Sequence, residues 1–171
     1  MKKIPYRWSR RDKWLYAISL IPFAILFFGV IYLLAGICIY MSVLWLLIYL
    51  VLNIVQGYCC IACPYKGKYC PAIFGVYLGN IISGFLYSEY EFDQKLFKLN
   101  ARWAEFVLAI FILYPLYWLY TIDWYYVLIY IGLMVLHIVL FIPTQCSKCS
   151  FNDLCPGGVC YSKFRRLGQW K

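Results

Sequence analysis

Eight of the nine cysteines fall into two short segments that repeat one spacing to within a residue. The first reads Cys60-x2-Cys63-x6-Cys70-Pro71, with Cys59 adjacent. The second reads Cys146-x2-Cys149-x5-Cys155-Pro156, with Cys160 following. Thiolate is a soft, anionic ligand. Four of them are what a tetrahedral zinc site or a cubane iron–sulfur cluster requires. Using all eight makes two four-thiolate sites.

Ligand identity alone does not choose between zinc and iron–sulfur, since both use all-thiolate ligation. Three details favour iron–sulfur. Proline follows Cys63, Cys70 and Cys155, and a Cys-Pro step ends the bacterial ferredoxin ligand run, where proline turns the chain away from the cluster. Pro64 and Ser150 follow the second cysteine of each CxxC, where a zinc knuckle often has glycine. Neither segment contains a histidine. Against this, three closely spaced CxxC steps are absent, and C-x2-C-x5/6-C also fits zinc loops. The expectation is two [4Fe–4S] clusters, with two zinc ions as the alternative and copper or another thiophilic metal behind them. In the simplest grouping, Cys59 or Cys60 joins Cys63, Cys70 and a fourth ligand, while Cys146, Cys149, Cys155 and Cys160 form the second site. Cys59 or Cys160 crossing to the other site stays open.

The elements that must position these thiols are apolar. Of 171 residues, 65% are hydrophobic, and the mean hydropathy is +0.73, far above ordinary soluble composition. Trp14 to Gln56 contains no charge. As one helix it would be roughly 65 Å long, about twice the hydrocarbon thickness. It must fold back, and Ala35-Gly36 is the expected turn, giving spans at 14–35 and 37–56. Ala104 to Pro143 is split by Asp123 into spans at 104–121 and 124–143. The fold class is therefore all-α integral membrane: four transmembrane helices as two hairpins, each followed by a cysteine-rich segment, in a pseudo-two-fold repeat. In one membrane domain (1–171), a basic N-terminus (1–13) precedes a hairpin (14–56), a cysteine segment with an interfacial helix (57–103), a second hairpin (104–143) and a cysteine-rich basic tail (144–171). The first apolar run is too long for a signal-peptide core and no small-residue cleavage site follows it, so it is read as a retained signal anchor.

This arrangement puts all 16 Lys and Arg on one side, and neither hairpin turn carries any. The positive-inside rule makes the basic side cytoplasmic. The expected location is the cell (inner) membrane, multi-pass, with both termini cytoplasmic. Cytoplasmic thiols stay reduced, which favours metal ligation over disulfides. The net charge of +9 is explained by topology and anionic lipid. It also suits docking of an acidic electron carrier such as a ferredoxin. Nucleic-acid binding is not expected.

Between the hairpins, residues 72–88 are apolar but diluted by Asn80, glycines and serines, which suits an interfacial or re-entrant helix. Gly75, Gly79 and Ser83 give it a small-residue face for helix packing. Residues 89–103 read as a short surface helix or loop. Trp8, Trp14, Trp103, Trp118, Trp124, Tyr125 and Tyr126 form the expected aromatic belt. His137, the single histidine, cannot supply bis-histidine haem ligation. It is either a satisfied histidine within the bundle or a hydrogen-bond partner for a quinone-like carbonyl. Asn53 is expected to bridge helices, Glu105 and Asp123 to sit at span ends, and Cys38 to be a small apolar core residue in the outer half of a helix. No Walker loop, dinucleotide fingerprint, nucleophile elbow or HExxH occurs.

Cys59-x3-Cys63-Pro64 resembles the CxxxCP motif of membrane iron–sulfur quinol dehydrogenase subunits serving periplasmic nitrate and nitrous oxide reduction. That family also has four helices with cytoplasmic cysteines. It carries two such motifs and a ferredoxin-like domain, and this chain lacks the second motif and the domain. Protein S-acyltransferases also follow a second helix with a cysteine-rich zinc domain, but their Asp-His-His-Cys motif has no counterpart here. The expected function is a membrane electron-transfer subunit, a redox part of a larger oxidoreductase complex rather than a stand-alone enzyme. Its two clusters would relay electrons between a soluble carrier and a membrane site. The alternatives are a structural or assembly protein with two four-cysteine zinc sites, or thiophilic metal handling.

Overall fold

The computed structural model describes residues 7–61, 77–86, 89 and 94–148, and these are helical nearly throughout. Helix α1 runs Arg10–Ile37, α2 Ile39–Cys59, α3 Tyr77–Leu86, α4 Gln94–Ile122 and α5 Trp124–Phe141, and a π turn, Ile142–Cys146, continues α5. Four segments are long and apolar enough to cross a membrane: Arg10–Ile37, Ile39–Tyr58, Arg102–Ile122 and Trp124–Cys146. Their outward faces carry large apolar side chains such as Phe28, Leu113, Leu128 and Ile129, which water would not tolerate and lipid would. The chain is a multi-pass membrane protein, all-helical among the described residues apart from turns.

The two hairpins turn in the same way. Cys38 and Asp123 are each a single extended residue between two helices, with φ/ψ of −161°/128° and −166°/141°. Cys38 N–H closes α1 on Leu34 O at 2.9 Å and its carbonyl starts α2 by accepting from Met41 N at 3.0 Å. Asp123 repeats the pattern with Leu119 O at 3.1 Å and Tyr126 N at 3.2 Å. Asp123 adds a side-chain cap, its carboxylate accepting from Tyr125 N at 3.1 Å, as an N-cap aspartate should. The first turn thus lies at Cys38 rather than at Ala35-Gly36, and Cys38 is a half-buried turn residue rather than part of a helix.

Each long helix packs against two neighbours in the ring α1–α2–α4–α5, while α1 and α4 touch lightly across it. The core is aromatic at its centre: Trp45 stacks on Phe111 (centroids 4.9 Å apart, 8° between planes), and Phe27 and Tyr49 close around them. The 10 residues of α3 span about 15 Å, half a hydrocarbon core. This helix lies against α2 with Ser83 fully buried. Residues 94–103 are not a separate surface element but the start of α4. Trp14, Trp103, Trp124 and Tyr125 are exposed near helix ends, as an interfacial belt requires, whereas Trp8 and Trp118 are half-buried.

Prolines interrupt α1, α4 and the end of α5, and near each of them a side chain bonds a carbonyl three or four residues back. Proline lacks an N–H and its ring displaces the carbonyl four residues back. In α4, Pro115 frees Phe111 O, which accepts from Trp45 Nε1 of α2 at 3.1 Å. Ile112 O, three residues before the proline, accepts from the Tyr130 hydroxyl of α5 at 3.1 Å. In α1, Ser19 O lies three residues before Pro22 and receives His137 of α5 at 2.6 Å. In α5, Pro143 breaks the ladder where the π turn begins, and Leu140 O is taken by Thr144 Oγ1 at 2.7 Å. Lipid offers no water to satisfy such carbonyls, so neighbours must.

Candidate metal-binding face at the basic end

Both cysteine segments begin where a hairpin returns to the same end of the bundle. Cys60 caps α2, its N–H donating to Gln56 O at 3.1 Å and Gly57 O at 3.0 Å. Cys146 is the last residue of the π turn. Both side chains are half-buried, and the backbone of Cys59 closes α2. Arg7, Arg10, Arg11 and Lys13 lie here at the start of α1, Lys95, Lys98 and Arg102 at the start of α4, and Lys148 just past Cys146. Among the described residues no Lys or Arg lies at the other end, where Cys38 and Asp123 turn the chain. Charge is therefore segregated along the bundle axis.

Cys63, Cys70, Cys149, Cys155 and Cys160 lie outside the described residues. Among those described, no group of three or more His, Cys, Asp or Glu is placed to hold a metal ion. A complete site thus needs thiols from the parts of each segment beyond Ile61 and Lys148.

The second segment is fixed to the first helix. Ser9 and Asp12 form a reciprocal capping box: Asp12 N donates to Ser9 Oγ at 3.2 Å, and Ser9 N donates back to Asp12 Oδ2 at 3.0 Å, which starts α1 cleanly. The remaining carboxylate oxygen, Oδ1, is paired with the Lys148 ammonium. Gln145 Nε2 reaches Asp12 O at 3.4 Å. Asp12 and Gln145 are buried, and Gln145 Oε1 has no hydrogen-bond partner among the described residues. The sequence signal for the box is the Ser9-x2-Asp12 spacing, yet nothing in it points to a partner 136 residues away.

His137 is fully buried two turns further in, its ring packed between Phe23 (5.4 Å) and Phe141 (5.7 Å). A carbonyl can only accept, so the contact with Ser19 O places the proton on Nδ1. That packing ties α5 to α1 through the imidazole ring. Asn53 bonds within its own helix, Nδ2 to Tyr49 O at 2.7 Å, and its buried Oδ1 has no partner among the described residues. Among the described residues it bonds within α2 and not across helices, the i−4 carbonyl being its acceptor. Glu105 and Asp123 are exposed, in line with their places at span ends.

Comparison with known protein families, curated proteins and solved structures finds no match to this chain. Function must therefore be argued from the cysteine pattern and the end of the bundle that carries it.

Proposed function

We propose that the protein is a membrane electron-transfer subunit whose two cysteine segments each hold an iron–sulfur cluster at the basic face of a four-helix bundle. The observation that carries the reading is the common placement of Cys60 and Cys146. Each opens a CxxC one helix's length past an equivalent single-residue turn. Cys60 is 22 residues beyond Cys38, and Cys146 is 23 beyond Asp123. The extra residue falls in the half that contains the π turn, and a π turn takes up one residue without changing the helix on either side. Support for a repeat about an axis along the membrane normal comes also from the ring order, in which α1–α5 and α2–α4 are exchanged by such an axis.

In this reading the basic face is cytoplasmic, following the segregation of Lys and Arg. The ends of α2 and α5 lie at opposite corners of the ring, which favours two separate centres over one shared site. The thiolates would hold the clusters, and burial and N–H···S bonds would tune them. The clusters supply one-electron chemistry when bound, and the protein's residues make no bond-forming step. Electrons would pass between an acidic soluble carrier, attracted by the basic face, and a quinone or partner subunit in the membrane. The resemblance at Cys59–Pro64 to quinol dehydrogenase subunits agrees with that role.

Anaerobic purification tests it. Brown protein with broad visible absorption, iron and acid-labile sulfide is the expected result. Colourless protein with about two zinc per chain overturns it in favour of a structural or assembly role, and copper in place of both favours metal handling.

A further inference from the structure

The Cys146-Ser147-Lys148-Cys149 run is gripped through its interior. Lys148 lies between the two cysteines and its ammonium is paired with Asp12 Oδ1. Gln145, just before Cys146, is 1% exposed and reaches the Asp12 carbonyl at 3.4 Å. Ser147 Oγ donates to Pro143 O at 2.6 Å, and Lys148 N to Gln145 O at 3.2 Å. The residues on both sides of Cys146 are thus fixed to α1 or to the π turn. Asp12 is 3% exposed, and its two oxygens have different tasks: Oδ2 receives Ser9 N and Oγ at 3.0 and 2.7 Å, while Oδ1 faces Lys148. A helix cap needs only the first of these.

We infer that Asp12 is a positioning residue for the second cysteine segment: by holding the ammonium inside the CxxC, it fixes where the chain leaving α5 presents Cys146. This rests on the metal reading above for its purpose, but not for its geometry. A carboxylate this deeply buried is a rigid anchor, because moving it away from both partners would leave a charge uncompensated. The clamp also joins the first helix to the last, so the second segment is held by the first hairpin as well as by its own.

The test uses the full chain in detergent, with two readouts: bound metal per chain, and the alkylation rate of Cys146 in chelator-treated protein, followed by peptide mass. Lys148→Met should speed Cys146 alkylation about tenfold, as local opening becomes easier, and should lower metal content by one site. Lys148→Arg should stay near the starting protein in both. Ser9→Ala, which weakens the cap alone, should alter neither by more than about twofold. Asp12→Lys should behave like Lys148→Met, and adding Lys148→Asp to it should restore slow alkylation. Unchanged alkylation in Lys148→Met, an equal effect of Ser9→Ala, or no rescue by the charge swap would overturn the inference. A starting protein without any metal would overturn the metal reading instead, and the alkylation arm would still judge the clamp.

Discussion

Trp45 Nε1 donates to Phe111 O at 3.1 Å, and Phe111 is the residue whose carbonyl Pro115 strips of its helical partner. The hydrogen bond joins α2 to α4 at the stacked pair in the core centre. Proline and donor are thus two halves of one device. The proline opens an acceptor, and a neighbouring helix fills it where water cannot.

This dependence gives a double-mutant prediction. Interhelical side-chain hydrogen bonds in membrane proteins average about 0.6 kcal/mol and reach about 1.7. A carbonyl with no alternative partner belongs at the upper end. Trp45→Phe should cost about 1–2 kcal/mol beyond its loss of packing when Pro115 is present. In a Pro115→Ala background residue 115 regains its N–H and can satisfy Phe111 O within α4, so the same substitution should cost less. Reversible unfolding in mixed micelles would measure the difference, and equal costs in both backgrounds would sever the link between the proline and the indole.

Much of the bundle is legible in the sequence because lipid imposes simple rules. Uncharged runs of known length give four spans, and Asp123 marks the second turn because its side chain caps α5. Cys38 makes the same turn without a side-chain cap, so no residue type announces it, and the small pair Ala35-Gly36 drew the turn two residues early. The start of α4 at Gln94 reads as separate because its charged residues, Lys95, Lys98 and Arg102, set it off from the apolar span that follows, yet helical hydrogen bonding is indifferent to them. The Trp45–Phe111 and His137–Ser19 bonds and the Asp12–Lys148 pair are long-range contacts and leave no local pattern. The cysteine spacing is plain in the sequence, and the ends of α2 and of the π turn place Cys60 and Cys146 at one end of the bundle.

Charge segregation predicts orientation. A reporter fused after Lys171 should read cytoplasmic, and one inserted near Ile122 should read external, since no Lys or Arg occupies either hairpin turn. An external tail would remove the reducing compartment on which metal ligation by so many free thiols depends.

Ligation makes a separate prediction. A thiolate contributes charge and a strong bond to a metal, so Cys63→Ser, Cys70→Ser, Cys149→Ser and Cys155→Ser should each lose one site's metal. Each should also loosen the basic face, because metal binding and folding are coupled in such modules. Cys38→Ser should keep full metal content, since Cys38 lies in the turn at the opposite end of the bundle. Elemental analysis of the five variants decides it. Metal counts unchanged across the four segment substitutions would end the metal-site proposal.

The π turn supplies the sharpest test of the repeat. If Ile142–Cys146 holds one residue more than the matching end of α2, removing that residue should convert the turn to ordinary helix and leave everything on either side in register. Deleting Pro143 also removes the missing N–H that breaks the ladder, so the shortened helix should form readily. Cys146 would keep its direction, the Asp12–Lys148 pair would survive, and bound metal should stay within about a fifth of the starting value, given the strong coupling of such sites to local fold. Deleting Leu136 from regular helix instead would turn Cys146 by about 100° around the axis and should abolish the second site's metal. Metal measured on both deletions separates the cases. Equal loss in the two would mean that the π turn is not a spare residue, and that the hairpins share a turn and a cysteine spacing without sharing a register.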